Sequence, residues 1–190
     1  AKVNVDTFTN VADLKEAGLE VEVILKDADG KMVASAKGTS VSLDIANVHL
    51  WDGVADPYLY QLTAQLKRGE VVVDEIGCNC GVRTFYIDPE KGFFLNGRSY
   101  PLHGVSCHQD WKGIGNAISY EHMDMDMDLI REVGANTVRL AHYQHNQYYY
   151  DLCDKYGMVV WAEIPYISRH LPNARENTFF QMRELIIQNY

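Results

Sequence analysis

Side chains able to bind hydroxyl groups follow three apolar segments in the second half of the chain. In chain order these candidate binding residues are His108, Asp110, Arg139, His142, Tyr143 and Glu163. Imidazole, carboxylate and guanidinium groups hold hydroxyls through directed hydrogen bonds, and an aromatic ring offers a flat apolar surface. The set is therefore typical of a site for a hydroxyl-rich ligand such as a sugar. The alternative interpretation is that each side chain caps a helix or lies in a loop.

Strands and helices alternate after residue 88, and this alternation would position the candidate residues. Strands are predicted at 102–107, 137–141 and 158–164, and helices at 119–133, 146–156 and 178–189. The first helix can begin at a capping Ser119 and end at Gly134, with Met123, Met127 and Ile130 on its buried face. The last strand is continuously apolar, which is typical of a strand buried on both faces. The carboxyl ends of parallel strands meet at one edge, so we expect the candidates to lie together.

Up to about residue 88 the apolar residues recur with a period of two. Val21, Val23 and Leu25 alternate with polar residues, and similar stretches follow between Gly-containing turns. This pattern predicts about seven half-buried strands in an antiparallel sandwich of immunoglobulin type. Beyond it, Asn96-Gly97 predicts a tight hairpin, because this pair suits a type I′ turn.

Composition narrows the classes of protein and partner. The 190 residues are fewer than the ~250 that a closed eight-unit α/β barrel needs. A formal net charge of −9 argues against nucleic acid and anionic membranes as partners. No stretch reaches the ~18 consecutive apolar residues of a membrane span, and the first residues lack the apolar core of a signal peptide. We expect a soluble bacterial protein, with periplasm and cytoplasm both open.

Metal sites are weakly supported by the sequence. The run Asp124-Met-Asp126-Met-Asp128 resembles the start of a calcium loop, but Leu129 and Ala135 occupy the positions that need Gly and Glu. Histidine and cysteine pairs with the usual zinc spacing are absent from the sequence. We therefore expect no metal.

Motifs in both parts of the chain match those of one known family. They are the runs PYLY from Pro57, GVRTF from Gly81, GFFLNG from Gly92, LHGVSCHQD from Leu102, NTVRLAHY from Asn136 and DKYG from Asp154. In this combination the sequence resembles glycoside hydrolase family 2, which includes β-galactosidases, β-glucuronidases and β-mannosidases. The resemblance implies an immunoglobulin-like antiparallel β-sandwich at 1–88. It implies that 89–190 form the first part, about three βα units, of an incomplete TIM (β/α)8 barrel.

The resemblance also implies roles for four of the candidate residues. His108 and His142 match family histidines that contact hydroxyls of the sugar at the cleavage point. Arg139 matches an arginine that steadies the catalytic carboxylates, and Glu163 matches an acidic residue on the pocket floor.

The catalytic pair of the family is expected outside this sequence. Family members hydrolyse with retention, using an acid/base Glu and a nucleophile Glu, and the resemblance assigns both to positions beyond Tyr190. The chain is therefore expected to be a fragment that is inactive alone. Pro165 and Ser168 fall where some β-galactosidases carry magnesium ligands, so the resemblance adds no metal or other cofactor.

The resulting hypothesis is a fragment of a retaining exo-β-glycosidase that hydrolyses terminal β-linked sugars, with β-galactosides as the expected substrates. The alternative is a non-catalytic carbohydrate-binding or assembly module. Three βα units cannot close a barrel, so the strand at 158–164 should present an unpaired apolar edge. We expect copies of the chain to form a homo-oligomer through that edge.

Overall fold

The computed structural model describes residues 1–166, 168–169 and 171–189, and the chain divides into two compact units. The first unit comprises Ala1–Trp51 and Tyr58–Thr84, and the second comprises Asp52–Pro57 and the chain from Phe85 onward. The segment Asp52–Pro57 thus precedes the end of the first unit in sequence and yet belongs to the second. The two units therefore cannot be separated by cutting the chain at one position.

The first unit is an antiparallel sandwich of two sheets. Its strands are β1 (Lys2–Asp6), β2 (Glu20–Lys26), β3 (Met32–Lys37), β4 (Ser40–Asp44), β5 (Tyr60–Arg68) and β6 (Val71–Cys80). One sheet pairs β1 with β4, and the other has the order β3-β2-β5-β6. The predicted sandwich is confirmed. About seven strands were expected in residues 1–88, and seven lie there, six in this unit and Phe85–Asp88 in the second.

Alternation decides which face of β2 enters the sandwich core. Val21, Val23 and Leu25 are buried, while Glu22 and Ile24 between them are half-buried. Successive side chains of a strand point to opposite faces, so this spacing places one apolar face in the core. In contrast, Val71 and Ile76 of β6 are 64% and 74% exposed. The reason is position, because β6 lies at the edge of its sheet.

The second unit begins with a small antiparallel sheet formed by β7 (Phe85–Asp88), β8 (Gly92–Leu95) and β9 (Arg98–Ser99). The predicted hairpin is confirmed, since Asn96 and Gly97 connect β8 and β9 with φ values of 50° and 79°. Positive φ at both central residues is what a type I′ turn requires. This sheet also holds the segment Asp52–Pro57, because Asn96 Nδ2 donates to an Asp52 carboxylate oxygen at 2.9 Å.

A parallel sheet with helices follows, in the order β10-β11-β12. The elements are β10 (Gly104–Cys107), α1 (Tyr120–Glu132), β11 (Thr137–Leu140), α2 (Gln147–Tyr156), β12 (Val159–Ala162) and α3 (Arg175–Asn189). Short 3₁₀ turns lie at Gly53–Ala55 and Pro172–Ala174. The repeated strand–helix order is the start of a TIM barrel, as predicted.

Local signals set the ends of α1 and its packing. The Ser119 side chain and the His122 side chain bond each other's backbone nitrogens in a capping box, and Gly134 follows the helix with φ 77°. Met123, Met127 and Ile130 are buried, as the spacing predicted, and they join the core on one side of the parallel sheet.

One expectation for the last strand is wrong. The strand at 158–164 was expected to be buried on both faces, but β12 is shorter and its Trp161 is 66% exposed. The physical reason is that Trp161 is the register partner of Arg139 and so lies on the sheet face away from the helices, while Val160 and Ala162 pack against the core. Among the helices that the structure describes, none is long and apolar enough to cross a membrane.

Candidate functional site

The candidate site lies on the face of the parallel sheet that points away from the buried helices. Ser106, Arg139 and Trp161 are register partners on β10, β11 and β12. Direct register partners point to the same side of a sheet, and their neighbours along the strand point to the other. Val138 and Leu140, on either side of Arg139, are fully buried against the helices. The alternation of β11 therefore directs the guanidinium to the opposite face.

Arg139 and Glu163 form a two-point ion pair at the carboxyl ends of β11 and β12. Arg139 Nε donates to Glu163 Oε1 at 2.7 Å, and Nη2 donates to Oε2 at 3.2 Å. Arg139 Nη1 donates to the Ser106 hydroxyl at 3.3 Å, so β10 also supports the guanidinium. Two parallel hydrogen bonds fix the plane of the carboxylate as well as its position.

His142 joins this pair through one ring nitrogen. Its Nδ1 lies 2.9 Å from Glu163 Oε2 and 3.1 Å from Arg139 Nη2. A carboxylate oxygen can only accept a hydrogen bond, so the contact with Glu163 requires a proton on Nδ1. Arg139 Nη2 is then a second donor to the same oxygen rather than a partner of the ring. Nε2 is the His142 atom left to bind a ligand hydroxyl.

The contacts of Glu163 keep its side chain ionised. The hydrogen bond from Arg139 is the main cause that holds the pKa of the Glu163 carboxyl below its ordinary value, and the His142 bond acts in the same direction. A carboxylic acid that protonates a leaving group needs a raised pKa. This carboxylate is therefore suited to orient Arg139 and His142, and not to donate a proton.

His108 and Tyr143 stand beside His142. The His108 and His142 rings meet edge to face with centroids 5.1 Å apart, and the His108 and Tyr143 centroids are 6.2 Å apart. Gln109 ties the two strand ends together, because its backbone nitrogen donates to the Tyr143 hydroxyl at 3.2 Å. The Gln109 side-chain oxygen accepts from the Asn146 nitrogen at 2.6 Å.

A cavity of about 490 Å³ opens over the ion pair. Its lining residues are Arg139, His142, Ala162, Glu163, Ile164, Tyr166, Ser168, Met182 and Leu185. This volume is within the range of small-molecule sites, and the lining combines a few polar groups with apolar walls, as such sites do. The polar cluster thus faces a space large enough for a small molecule.

Five of the six candidate residues are linked by the hydrogen bonds and ring contacts described above, and the sixth is Asp110. Its side chain is exposed. Burial raises the pKa of the Cys107 thiol, and the charge of Asp110 adds to that rise, so the Asp110 carboxylate is near enough to Cys107 to affect its ionisation. In the part of the chain that the structure describes, no group of three or more metal-ligating side chains is placed to hold an ion.

Sequence reasoning did not assign roles to Ser106, Gln109 and Met182. Ser106 alternates with Val105 and Cys107 on β10, and this alternation is the signal that places it beside Arg139. Gln109 stands in the polar run that follows β10, but its bond to Asn146 joins residues far apart in sequence. Met182 enters the cavity wall from α3, and no local pattern indicates that.

Two family models match the chain, and they divide it between them. Residues 1–83 match the model described as glycosyl hydrolases family 2, and residues 88–184 match the family's TIM barrel domain. A β-glucuronidase of Bacteroides fragilis is 39% identical over 211 aligned residues, covering 100% of this chain and 29% of that protein. A β-galactosidase of Bacteroides ovatus is 32% identical, covering 83% of this chain and 20% of that protein.

Solved structures agree with this assignment. The crystal structure of an FMN-binding β-glucuronidase from Facaelibacterium prausnitzii L2-6 superposes with a TM-score of 0.84 and 43% identity, covering 91% of this chain and 28% of that one. The chain thus spans less than a third of the length of each of these proteins. Its sandwich unit, its barrel strands and the two model matches show that the chain belongs to glycoside hydrolase family 2.

Proposed function

We propose that the protein containing this chain is a retaining exo-β-glycosidase, and that this chain supplies one wall of the sugar pocket. The observation that carries the proposal is the cluster of Arg139, Glu163 and His142 at adjoining strand ends, facing a cavity of about 490 Å³. In TIM-barrel enzymes the substrate site stands at this end of the strands. Membership of the family supports the type of reaction.

The residues of this chain bind and orient, and other residues carry the bond cleavage. Retention needs two carboxyl groups about 5–5.5 Å apart, one as nucleophile and one as acid/base. Glu163 is a single carboxylate held on both oxygens by Arg139, with a third bond from His142. We propose that it fixes the proton on His142 Nδ1, so that Nε2 accepts a hydrogen bond from a sugar hydroxyl.

Two terminal sugars have support. A β-glucuronide is supported by the names of the relatives from Bacteroides fragilis and Facaelibacterium prausnitzii. A β-galactoside is supported by the name of the Bacteroides ovatus relative. The two sugars differ at C6, which is a carboxylate in the glucuronide and a CH₂OH group in the galactoside, and in the configuration of the hydroxyl at C4.

The test compares nitrophenyl β-D-glucuronide with nitrophenyl β-D-galactoside on the full-length protein. Hydrolysis of either substrate, with the anomeric configuration retained by NMR, supports the proposal, and the ratio of the two kcat/KM values assigns the sugar. Turnover of neither substrate, or inversion of configuration, would overturn it. The 190-residue chain alone is expected to give no turnover, since the family resemblance assigns neither catalytic glutamate to it.

The alternative is a non-catalytic carbohydrate-binding module, which a binding experiment tests. Isothermal titration of galactose and glucuronate into the chain and into a His142→Ala variant separates the two. Binding that is lost with His142 supports the pocket described above. Binding that is unchanged in the variant supports a separate module.

We also propose that copies of the chain associate through β12. This strand lies at the edge of the described three-stranded sheet, and its Trp161 is 66% exposed. An edge strand with apolar side chains is a template for pairing. Light scattering should show a dimer that Trp161→Lys weakens, and a monomer at high concentration would contradict this.

A further inference from the structure

His145 is a buried histidine close in the chain to two residues of the candidate site, His142 and Tyr143. Its side chain is 5% exposed, and its Nε2 lies 3.0 Å from the Ala141 carbonyl oxygen. A carbonyl oxygen can only accept, so Nε2 carries the proton and donates. Burial lowers the pKa of His145, which keeps the ring neutral and leaves Nδ1 as an acceptor.

The acceptor nitrogen makes this histidine costly for the core. Among the described residues, His145 Nδ1 has no hydrogen-bond partner, and it is shielded from solvent. A buried acceptor without a partner lowers stability, and an apolar side chain of similar size would avoid that loss. The imidazole must therefore be useful for the groups it contacts, which are the carbonyl that accepts from Nε2 and the aromatic rings beside it.

The ring of His145 stacks against the ring of Tyr143. The two rings stack with centroids 5.2 Å apart and planes 22° apart. On its other side His145 meets Tyr149 of α2 edge to face, with centroids 6.0 Å apart. Tyr149 is 1% exposed and its hydroxyl donates to Cys107 Sγ at 3.4 Å, so it is fixed in the core. A continuous series of contacts therefore runs from the core to Tyr143.

We infer that His145 is a positioning residue that aligns His142 and Tyr143 for the sugar. One bond holds the carbonyl of Ala141, which precedes His142, and one stacked ring holds Tyr143, which follows it. The aligned His142 then keeps its Nδ1 on Glu163 at 2.9 Å. This inference deepens the proposed function and rests on it for the identity of the ligand. The alignment itself does not depend on that identity.

Two variants separate the donor from the space that the ring fills. His145→Phe keeps an aromatic ring beside Tyr143 but cannot donate to Ala141. His145→Gln carries an amide NH₂ at about the reach of Nε2 and restores the donor. Met127→Ala is the matched control, because it removes buried volume from the same core but from a different element, α1, and leaves the His145 donor and ring in place.

The first measurement uses the 190-residue chain and needs no activity. Long-range ¹H–¹⁵N NMR spectra report which ring nitrogen of His142 carries the proton. We expect a proton on Nδ1 in the parent chain, a mixture of tautomers in His145→Phe, and return of the parent signal in His145→Gln. Met127→Ala should leave the His142 signal unchanged.

The second measurement uses the full-length enzyme and the better nitrophenyl substrate. His145→Phe should lower kcat by about ten-fold or more, since small misplacements of binding groups are costly in rate. His145→Gln should lose less, about three-fold, because it keeps the donor to Ala141 and loses only the ring that stacks on Tyr143. Met127→Ala should lower the unfolding midpoint but not kcat.

The outcomes distinguish this inference from the proposed function. If no glycoside is hydrolysed, the proposed function fails, while the tautomer of His142 still decides the role of His145. An unchanged His142 signal in His145→Phe would overturn the inference. The inference would also be overturned if His145→Gln and His145→Phe lost kcat by the same factor, because the donor would then be irrelevant.

Discussion

Two glycines that end helices should respond very differently to the same substitution. Gly134 follows α1 and Gly157 follows α2, and both have φ +77°. At Gly134 an added Cβ meets nothing within 4 Å. At Gly157 the Cβ would overlap the carbonyl group of Gly53 and lie 2.5 Å from the Val54 nitrogen. The backbone conformation is thus matched, and only the second site is packed against another segment.

The difference in unfolding free energy follows from these two environments. An L-residue in the left-handed region costs about 1–2 kcal/mol. Replacing Gly by Ala returns about 0.4–1 kcal/mol by restricting the unfolded chain. Gly134→Ala should therefore lose about 1 kcal/mol. Gly157→Ala should lose about 1–3 kcal/mol more, because a backbone carbonyl cannot move away as a flexible side chain can.

Thermal unfolding followed by circular dichroism at 222 nm measures this difference, because the signal reports on α1, α2 and α3 of the second unit. At about 2–4 °C per kcal/mol for a chain of this size, Gly134→Ala should lower Tm by about 2–4 °C and Gly157→Ala by about 4–16 °C. Asn tolerates the left-handed region, so Gly134→Asn should be nearly neutral while Gly157→Asn should remain destabilising. Equal Tm losses at the two sites would refute the close approach of Gly157 to Gly53.

Three further outcomes follow from the core and from the site. Met127→Ala should cost about 2–5 kcal/mol in urea unfolding because its side chain is fully buried, whereas Met125→Ala, 50% exposed on the same helix, should change stability by about 0.5 kcal/mol or less. The pKa of Glu163 is held below its ordinary 4.5, mainly by the hydrogen bond from Arg139, so its contribution to stability is present above that pH and is lost as pH falls through the lowered value. Glu163→Gln should therefore reduce the acid-induced fall of the urea midpoint below pH 4.5, and an unchanged fall would contradict the ion pair. In the full-length enzyme His142→Ala should lower kcat/KM on the order of a hundredfold, and an unchanged value would remove His142 from the sugar pocket.

Local signals predicted much of the fold. The spacing of Val21, Val23 and Leu25 placed one face of β2 in the sandwich core, and all three are buried. Ser119 caps α1 as expected, and the turn at Asn96 and Gly97 has the positive φ values that a type I′ hairpin needs. These features depend on residues within a few positions of each other, so the sequence alone contains them.

The exposure of whole strands could not be predicted in the same way. The apolar residues of β6 resemble those of a core strand, and Val71 and Ile76 are nonetheless mostly exposed. Trp161 is similarly exposed in a strand that was expected to be buried on both faces. Burial of a strand depends on which elements pack against it, and no neighbouring residue in the sequence records that.

The same distinction runs through the site. Residue types and strand ends were sufficient to single out His108, Arg139, His142, Tyr143 and Glu163. Only the tertiary structure decided that one guanidinium holds both oxygens of Glu163 and that His142 adds a third bond through Nδ1. The register of three parallel strands is the physical reason, because it brings residues that are 24 positions apart in sequence within 2.7 Å. The sequence determined which polar groups stand at the strand ends, and the pairing of the strands decided which of them contact one another.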